Sequence, residues 1–251
     1  MHFLLVNDDG ISAVGLKALS EAALKAGHSV TVCAPQTQQS ATSHHLTLTA
    51  PLMVRETPWE GANAYAVAGT PADCARLGLL LSDQPVDYVF SGINNGLNAG
   101  TAVYYSGTVS AAREARMCNR KAMAVSIDAG ADSASLSRLA SIAVALAERT
   151  AKIDLPRLCL LNLNAPSLPF GQWKPLRVAP LSDAYFLDSY EKRVSPRGHA
   201  YFWLEEGLKI EPHRPGTDMA FLNEGHPTLT LLGPCTDDNS WLRDHLQDIE
   251  G

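Results

Sequence analysis

Two adjacent carboxylates, Asp8 and Asp9, close an apolar run from Phe3 to Val6 and are followed at once by Gly10. Paired acids on a tight turn suit a hard divalent cation, and an all-oxygen donor set favours magnesium or manganese. The same pattern also arises where an aspartate caps the next helix. Two further loops offer partners: 34–45, with Ser40, His44 and His45, and 91–98, with Asn94 and Asn98. Ser40 and Asn94 carry neutral oxygens that leave a dication's charge unquenched and positions open for water and substrate. Ser106-Gly107-Thr108 opens a helix, where backbone N–H groups and hydroxyls make an anion site. A dication beside an anion site is the arrangement that holds a phosphate and brings water to it. Each group has a plainer use as well: serine and threonine as N-caps, asparagine as a turn former, a loop histidine as a solvated side chain.

These groups act together only if the elements place them on one edge. Phe3 to Val6 reads as the first strand of a parallel sheet, and ligands of open α/β sheets bind beyond the carboxyl ends of such strands. Residues 15–26 carry Leu16, Leu19, Ala23 and Leu24 at helical spacing, with Gly27 as a stop. Strands follow at 29–34, at an edge position over 46–54, and at 87–93, 122–127 and 158–163. Helices are expected from Thr70-Pro71 to about 81, over 108–117 and over 135–150. This alternation predicts an α/β, Rossmann-like, doubly wound and mostly parallel sheet. Residues 183–204 are rich in tyrosine, phenylalanine and tryptophan around Ser195-Pro196-Arg197-Gly198 and predict a protruding β-hairpin. A strand at 228–232 and a helix at 241–249 complete the chain. The division expected is a catalytic core over 1–180 and an arm over 181–251 that drives oligomerisation.

The 251 residues fit one α/β core with an appendage, and the hydrophobic (46%) and charged (18%) fractions are those of a globular protein. A net charge of −6 argues against a surface for long nucleic acids. It leaves room for a small anion, because a bound metal reverses the local field. The five cysteines (Cys33, Cys74, Cys118, Cys159, Cys235) are scattered, with no CxxC pair. That pattern predicts reduced thiols and a cytoplasmic location. Neither a signal segment nor a membrane span is expected.

Several segments together resemble the stationary-phase survival protein SurE family of metal-dependent nucleotidases. They are Asn7-Asp8-Asp9-Gly10, Ser40-Ala41-Thr42, Gly69-Thr70-Pro71-Ala72-Asp73-Cys74, Ser91-Gly92-Ile93-Asn94 with Asn98, Tyr105-Ser106-Gly107-Thr108-Val109, Asn162-Leu163-Asn164-Ala165-Pro166, Ser195-Pro196-Arg197-Gly198 and Gly216-Thr217-Asp218. The resemblance implies hydrolysis of nucleoside 5′- or 3′-monophosphates with one Mg2+ or Mn2+ per subunit. By position it implies metal ligands at Asp8, Asp9, Ser40 and Asn94, and phosphate contacts at Asn98, Ser106, Gly107 and Thr108. It also implies a homodimer or homotetramer built through the hairpin and the C-terminal region. Asp8 or Asp9 would handle the attacking water, and His44 is the candidate general acid by its loop position. Gln36, Gln39, Thr101, Ala102 and Ala115 depart from the family's usual residues and bear on substrate preference and assembly. Two other readings stand beside this one. An aspartyl-phosphate phosphatase would need Asp-x-Asp, whereas these acids are adjacent; a nucleotide-binding module would keep the metal as a structural ion.

Overall fold

The computed structural model describes residues 1–184, 186–187, 189–205, 209–210 and 214–234. Its elements are β1 (His2–Val6), α1 (Val14–Lys25), β2 (Ser29–Pro35), β3 (Val54–Glu56), β4 (Asn63–Val67), α2 (Pro71–Leu81), β5 (Tyr88–Asn95), α3 (Gly107–Met117), β6 (Lys121–Ile127), α4 (Ser133–Thr150), β7 (Leu160–Ala165), β8 (Arg177–Val178), β9 (Phe186–Leu187), β10 (Tyr190–Val194), β11 (Ala200–Leu204), β12 (Lys209–Ile210), α5 (Asp218–Asn223) and β13 (Thr228–Leu232). Among the described residues the main sheet runs β3-β4-β2-β1-β5-β6-β7-β13-β8. It is parallel from β4 through β7, with β3 antiparallel to β4 and β13 antiparallel to β7.

Strand alternation explains why β1 reads as a continuous apolar run. Phe3 and Leu5 enter a core under α1 and α4, while Leu4 and Val6 enter a second core under α2 and α3. The chain leaves β1 toward β2 and β4, then returns to β5 on the other side of β1. The order therefore reverses between β1 and β5, and a crevice opens beyond their carboxyl ends. Gly15 lets α1 close against that crevice: a Cβ there would stand 2.1 Å from the Ile93 carbonyl oxygen.

The edge strand expected over 46–54 is found instead as the short β3, which starts at Val54. Residues 45–47 have no ladder because side chains hold them: Thr70 Oγ1 donates to the His45 carbonyl, and Thr47 donates from N and Oγ1 to Asp73. The neighbour of β2 is β4, which the sequence reading did not anticipate. The hairpin is present as β10 paired antiparallel with β11, and all ten residues are exposed. The helix expected at 241–249, and Cys235, lie outside the described residues. No helix among the described residues is long and apolar enough to cross a membrane.

Candidate active site

The turn after β1 is held by its own first residue. Asn7 Nδ2 donates to the Gly10 carbonyl (2.9 Å), and its Oδ1 accepts from Gly10 N (3.2 Å). Gly10 has φ +96°, a left-handed value that an L side chain rarely adopts. This clamp presents Asp8 and Asp9 outward beyond the strand. Gln39 N donates to the Asp8 carbonyl (2.7 Å), which ties the loop after β2 to the same turn.

Asp8 is buried at 5% exposure, and Thr108 Oγ1 donates to its Oδ1. Burial, opposed by the Thr108 hydroxyl and aided by the neighbouring Asp9 charge, raises its carboxyl to about 6. Asp9 is half-buried; its Oδ2 accepts from Asn95 N (3.1 Å). A single Gln38 Nε2 contacts both Asp9 Oδ1 (3.5 Å) and Ser40 Oγ (2.9 Å), so the exposed Ser40 sits beside the acids. Asn94 precedes the residue bound to Asp9, and its Nδ2 donates to the Gly96 carbonyl (2.7 Å), leaving Oδ1 as an acceptor.

Against Asp8 stands the start of α3. A Cβ on Gly107 would lie 2.9 Å from Asp8 Cβ and 3.0 Å from its Oδ2, so glycine is what permits this approach. Ser106 is the N-cap and accepts from Val109 N (3.0 Å). The Gly107 N–H has no partner among the described residues and remains a donor of the first turn, while the Thr108 N–H acts on the Asp8 carboxylate. Ser106 and Thr108 thus spend their side chains on the cap and on Asp8, and the anion-binding capacity resides in the backbone.

Asn98 lies deeper than the other members. Its N donates to Asn164 Oδ1, its carbonyl accepts from Asn162 and Asn164, and its Nδ2 donates to Ser126 Oγ (2.8 Å). One Nδ2 hydrogen remains for a ligand. Asn162 and Asn164 escaped the sequence reading as functional positions, although two amides at spacing two in an apolar strand share one face and signal a buried polar cluster. His44 Nε2 is held 2.7 Å from Glu114, itself fully buried and also bonded to Arg76. Glu114 lies two turns along α3, about 10 Å from Gly107. Nδ1 is the nitrogen of His44 that Glu114 leaves available.

The four candidate ligands supply two carboxylates, a hydroxyl and an amide oxygen. No three His, Cys, Asp or Glu side chains converge among the described residues. The donor set is therefore all oxygen and fits a hard dication, which would also relieve the repulsion between buried Asp8 and half-buried Asp9.

A family model described as Survival protein SurE matches residues 3–187. The 5′-nucleotidase SurE of Nitratidesulfovibrio vulgaris (strain DSM 19637 / Miyazaki F) is 46% identical over 233 residues, 92% of this chain and 86% of that protein. The 5′-nucleotidase SurE of Moorella thermoacetica is 42% identical over 236 residues, covering 92% of this chain and 90% of that one. The crystal structure of the Sure protein from Aquifex aeolicus superposes with a TM-score of 0.80 at 32% identity, covering 99% of this chain and 100% of that chain.

Proposed function

The chain belongs to the SurE survival-protein family, and from that premise we propose that it is a divalent-metal-dependent 5′-nucleotidase. In this reading it hydrolyses nucleoside 5′-monophosphates, and 3′-monophosphates by the same chemistry, to nucleoside and phosphate. The observation that carries the reading is the position of Asp8. It stands between a second carboxylate and the start of α3, which meets it with the Thr108 hydroxyl and keeps the Gly107 N–H unpaired among the described residues.

Asp8, Asp9, Ser40 and Asn94 would hold one Mg2+ or Mn2+. Bound there, the ion supplies Lewis-acid polarisation of the phosphoryl group and makes water acidic enough to attack at neutral pH. The Gly107 N–H, with Asn98, receives the phosphoryl oxygens and stabilises charge that grows on them during transfer. Thr108 fixes the Asp8 carboxylate. The Asp8–Asp9 pair orients the attacking water and accepts its proton. The new bond forms between water oxygen and phosphorus as the bond to the ribose oxygen breaks, and we assign the proton for that oxygen to His44. The core over 1–180 carries this chemistry. The arm over 181–251 joins copies into a homodimer or homotetramer. The four described cysteines, all free thiols, support a cytoplasmic location.

The test is phosphate release from a panel of nucleoside monophosphates. Turnover is expected with magnesium or manganese, silence after chelation, and recovery on adding the ion back. A chelator-resistant rate overturns the metal reading. A phosphorylated Asp8 trapped during turnover would replace it with the aspartyl-phosphate route.

A further inference from the structure

We propose that Asp218 is a positioning residue for the reaction: it holds the loop that carries Asn98, and so fixes the amide assigned to the phosphoryl group. This deepens the nucleotidase reading and rests on it. Asp218 lies outside the core over 1–180, at the start of α5, yet it is fully buried. None of the ion pairs among the described residues includes it. Three backbone N–H groups from three segments serve the carboxylate instead. Its Oδ1 accepts from Ser182 N (2.7 Å) and Met219 N (2.8 Å), and its Oδ2 accepts from Gly100 N (3.1 Å). A buried carboxylate is tolerated where such donors replace water, so the three segments are fixed relative to one another.

Helix capping explains only half of this arrangement. Oδ1 meets the first turn of α5 through Met219 N. Oδ2 serves Gly100, two residues past Asn98. Gly100 has φ +54°, and a Cβ there would stand 3.0 Å from the Ala184 carbonyl oxygen. That same oxygen accepts from Thr101 N (3.1 Å) and Thr101 Oγ1 (2.9 Å). At the other end of the loop, Gly96 N donates to the Ile127 carbonyl (2.8 Å). Asn98 is thus suspended between two anchored glycines and bonded to Asn162 and Asn164, while Leu97 and Ala99 pack with Met219 and Leu222 of α5. Its free Nδ2 hydrogen points where these anchors set it. Asp218 therefore latches the phosphate side of the site to the root of the arm.

The test uses inorganic phosphate, the product, as a competitive inhibitor of adenosine 5′-monophosphate hydrolysis at saturating magnesium. Asp218→Asn replaces one acceptor oxygen with an NH2 group that cannot accept from a backbone N–H. It should raise the inhibition constant by roughly tenfold. Thr101→Val is milder, losing only the hydroxyl donated to Ala184, and should raise it by roughly twofold. In an Asn98→Ala background neither should add to the loss, because each acts through Asn98. The magnesium concentration for half-maximal activity should stay put, whereas a general loss of structure would move it. The inference is overturned by an unchanged inhibition constant in Asp218→Asn, by losses that multiply with Asn98→Ala, or by a shift confined to the magnesium requirement. Hydrogen exchange in the substrate-free proteins gives a second readout: amides of 98–101 should exchange faster in Asp218→Asn, and those of 7–10 should not. If wild type releases no phosphate from any nucleoside monophosphate, the nucleotidase reading fails and exchange still decides the latch. Faster exchange confined to 98–101 retains it; unchanged or uniformly faster exchange removes it.

Discussion

Asp8 is a carboxylate whose burial disfavours its own charge, and that cost is readable in stability. Its carboxyl is raised to about 6 in the fold, against about 3.9 in an unfolded chain. A raised group stabilises the fold fully below the unfolded value, and that contribution is lost as pH climbs through the folded one. In chelator, wild type should therefore lose about 2 kcal/mol of stability relative to Asp8→Asn between pH 4 and pH 7. Urea unfolding of the two proteins at both pH values measures it. Parallel pH dependence would refute the assignment. The same substitution removes one charge from the proposed ligand set, so phosphate release at saturating magnesium should drop by roughly a thousandfold or more. His44 calls for a different test, because Glu114 holds its Nε2. If His44 protonates the leaving oxygen, His44→Asn slows nucleotide hydrolysis but spares p-nitrophenyl phosphate, whose leaving group needs no proton. Equal losses on both substrates would assign it to anchoring alone. The residues that could act were legible from their types at strand ends and helix starts. Their division of labour was not: that Thr108 serves Asp8, and that Asn7 and Gln38 brace the acids, depends on contacts between segments distant in sequence.

The loop after β2 shows how elements convert sequence-distant contacts into a site. Its Ser40 segment is pinned before the serine by Gln39 N, which donates to the Asp8 carbonyl, and after it by residues 43–47. Ser43 Oγ donates to the Tyr104 carbonyl and His44 meets Glu114 on α3; His45 and Thr47 attach to Thr70 and Asp73 at the start of α2. Burial pushes the Asp73 carboxyl up, but donors from Thr70 and Thr47 outweigh it and hold it below the ordinary range. Asp73→Ala removes both a capping-box partner and a loop anchor. It should cost about 1–2 kcal/mol in urea unfolding and raise the metal concentration for half-maximal activity, with partial recovery in Asp73→Asn. Unfolding loss with no change in metal dependence would show that the anchor does not reach Ser40. These contacts also explain what sequence periodicity misread. Strands buried on both faces, such as β1 and β6, announce themselves by composition. By contrast, 46–53 has strand-like residues but spends its donors on side chains, and β4 owes its place to pairing with β2 rather than to a strong pattern of its own.

At the scale of the molecule, the site and the hairpin pose opposite demands. The site gathers polar groups at the switch point of a sheet whose two cores are complete within one chain. The hairpin instead exposes Tyr190, Phe202 and Trp203 at 61%, 59% and 60%. A two-stranded ribbon is marginal in water on its own, and large apolar rings exposed on both of its faces mark a contact surface. A second copy presents the same surface and can satisfy it by symmetry. We therefore expect wild type to sediment as a homodimer or homotetramer at micromolar concentration. Phe202→Lys with Trp203→Lys places two charges on the ribbon and should shift the protein to monomer. Because both residues lie outside the contacts that build the candidate site, the monomer should still bind magnesium or manganese, seen as a rise in Tm that follows ion concentration. A monomeric wild type would remove the hairpin's assigned role. A variant that becomes monomeric and also loses the ion-dependent rise in Tm would show that assembly completes the site, so the two readouts separate the arm's part in association from any part in catalysis.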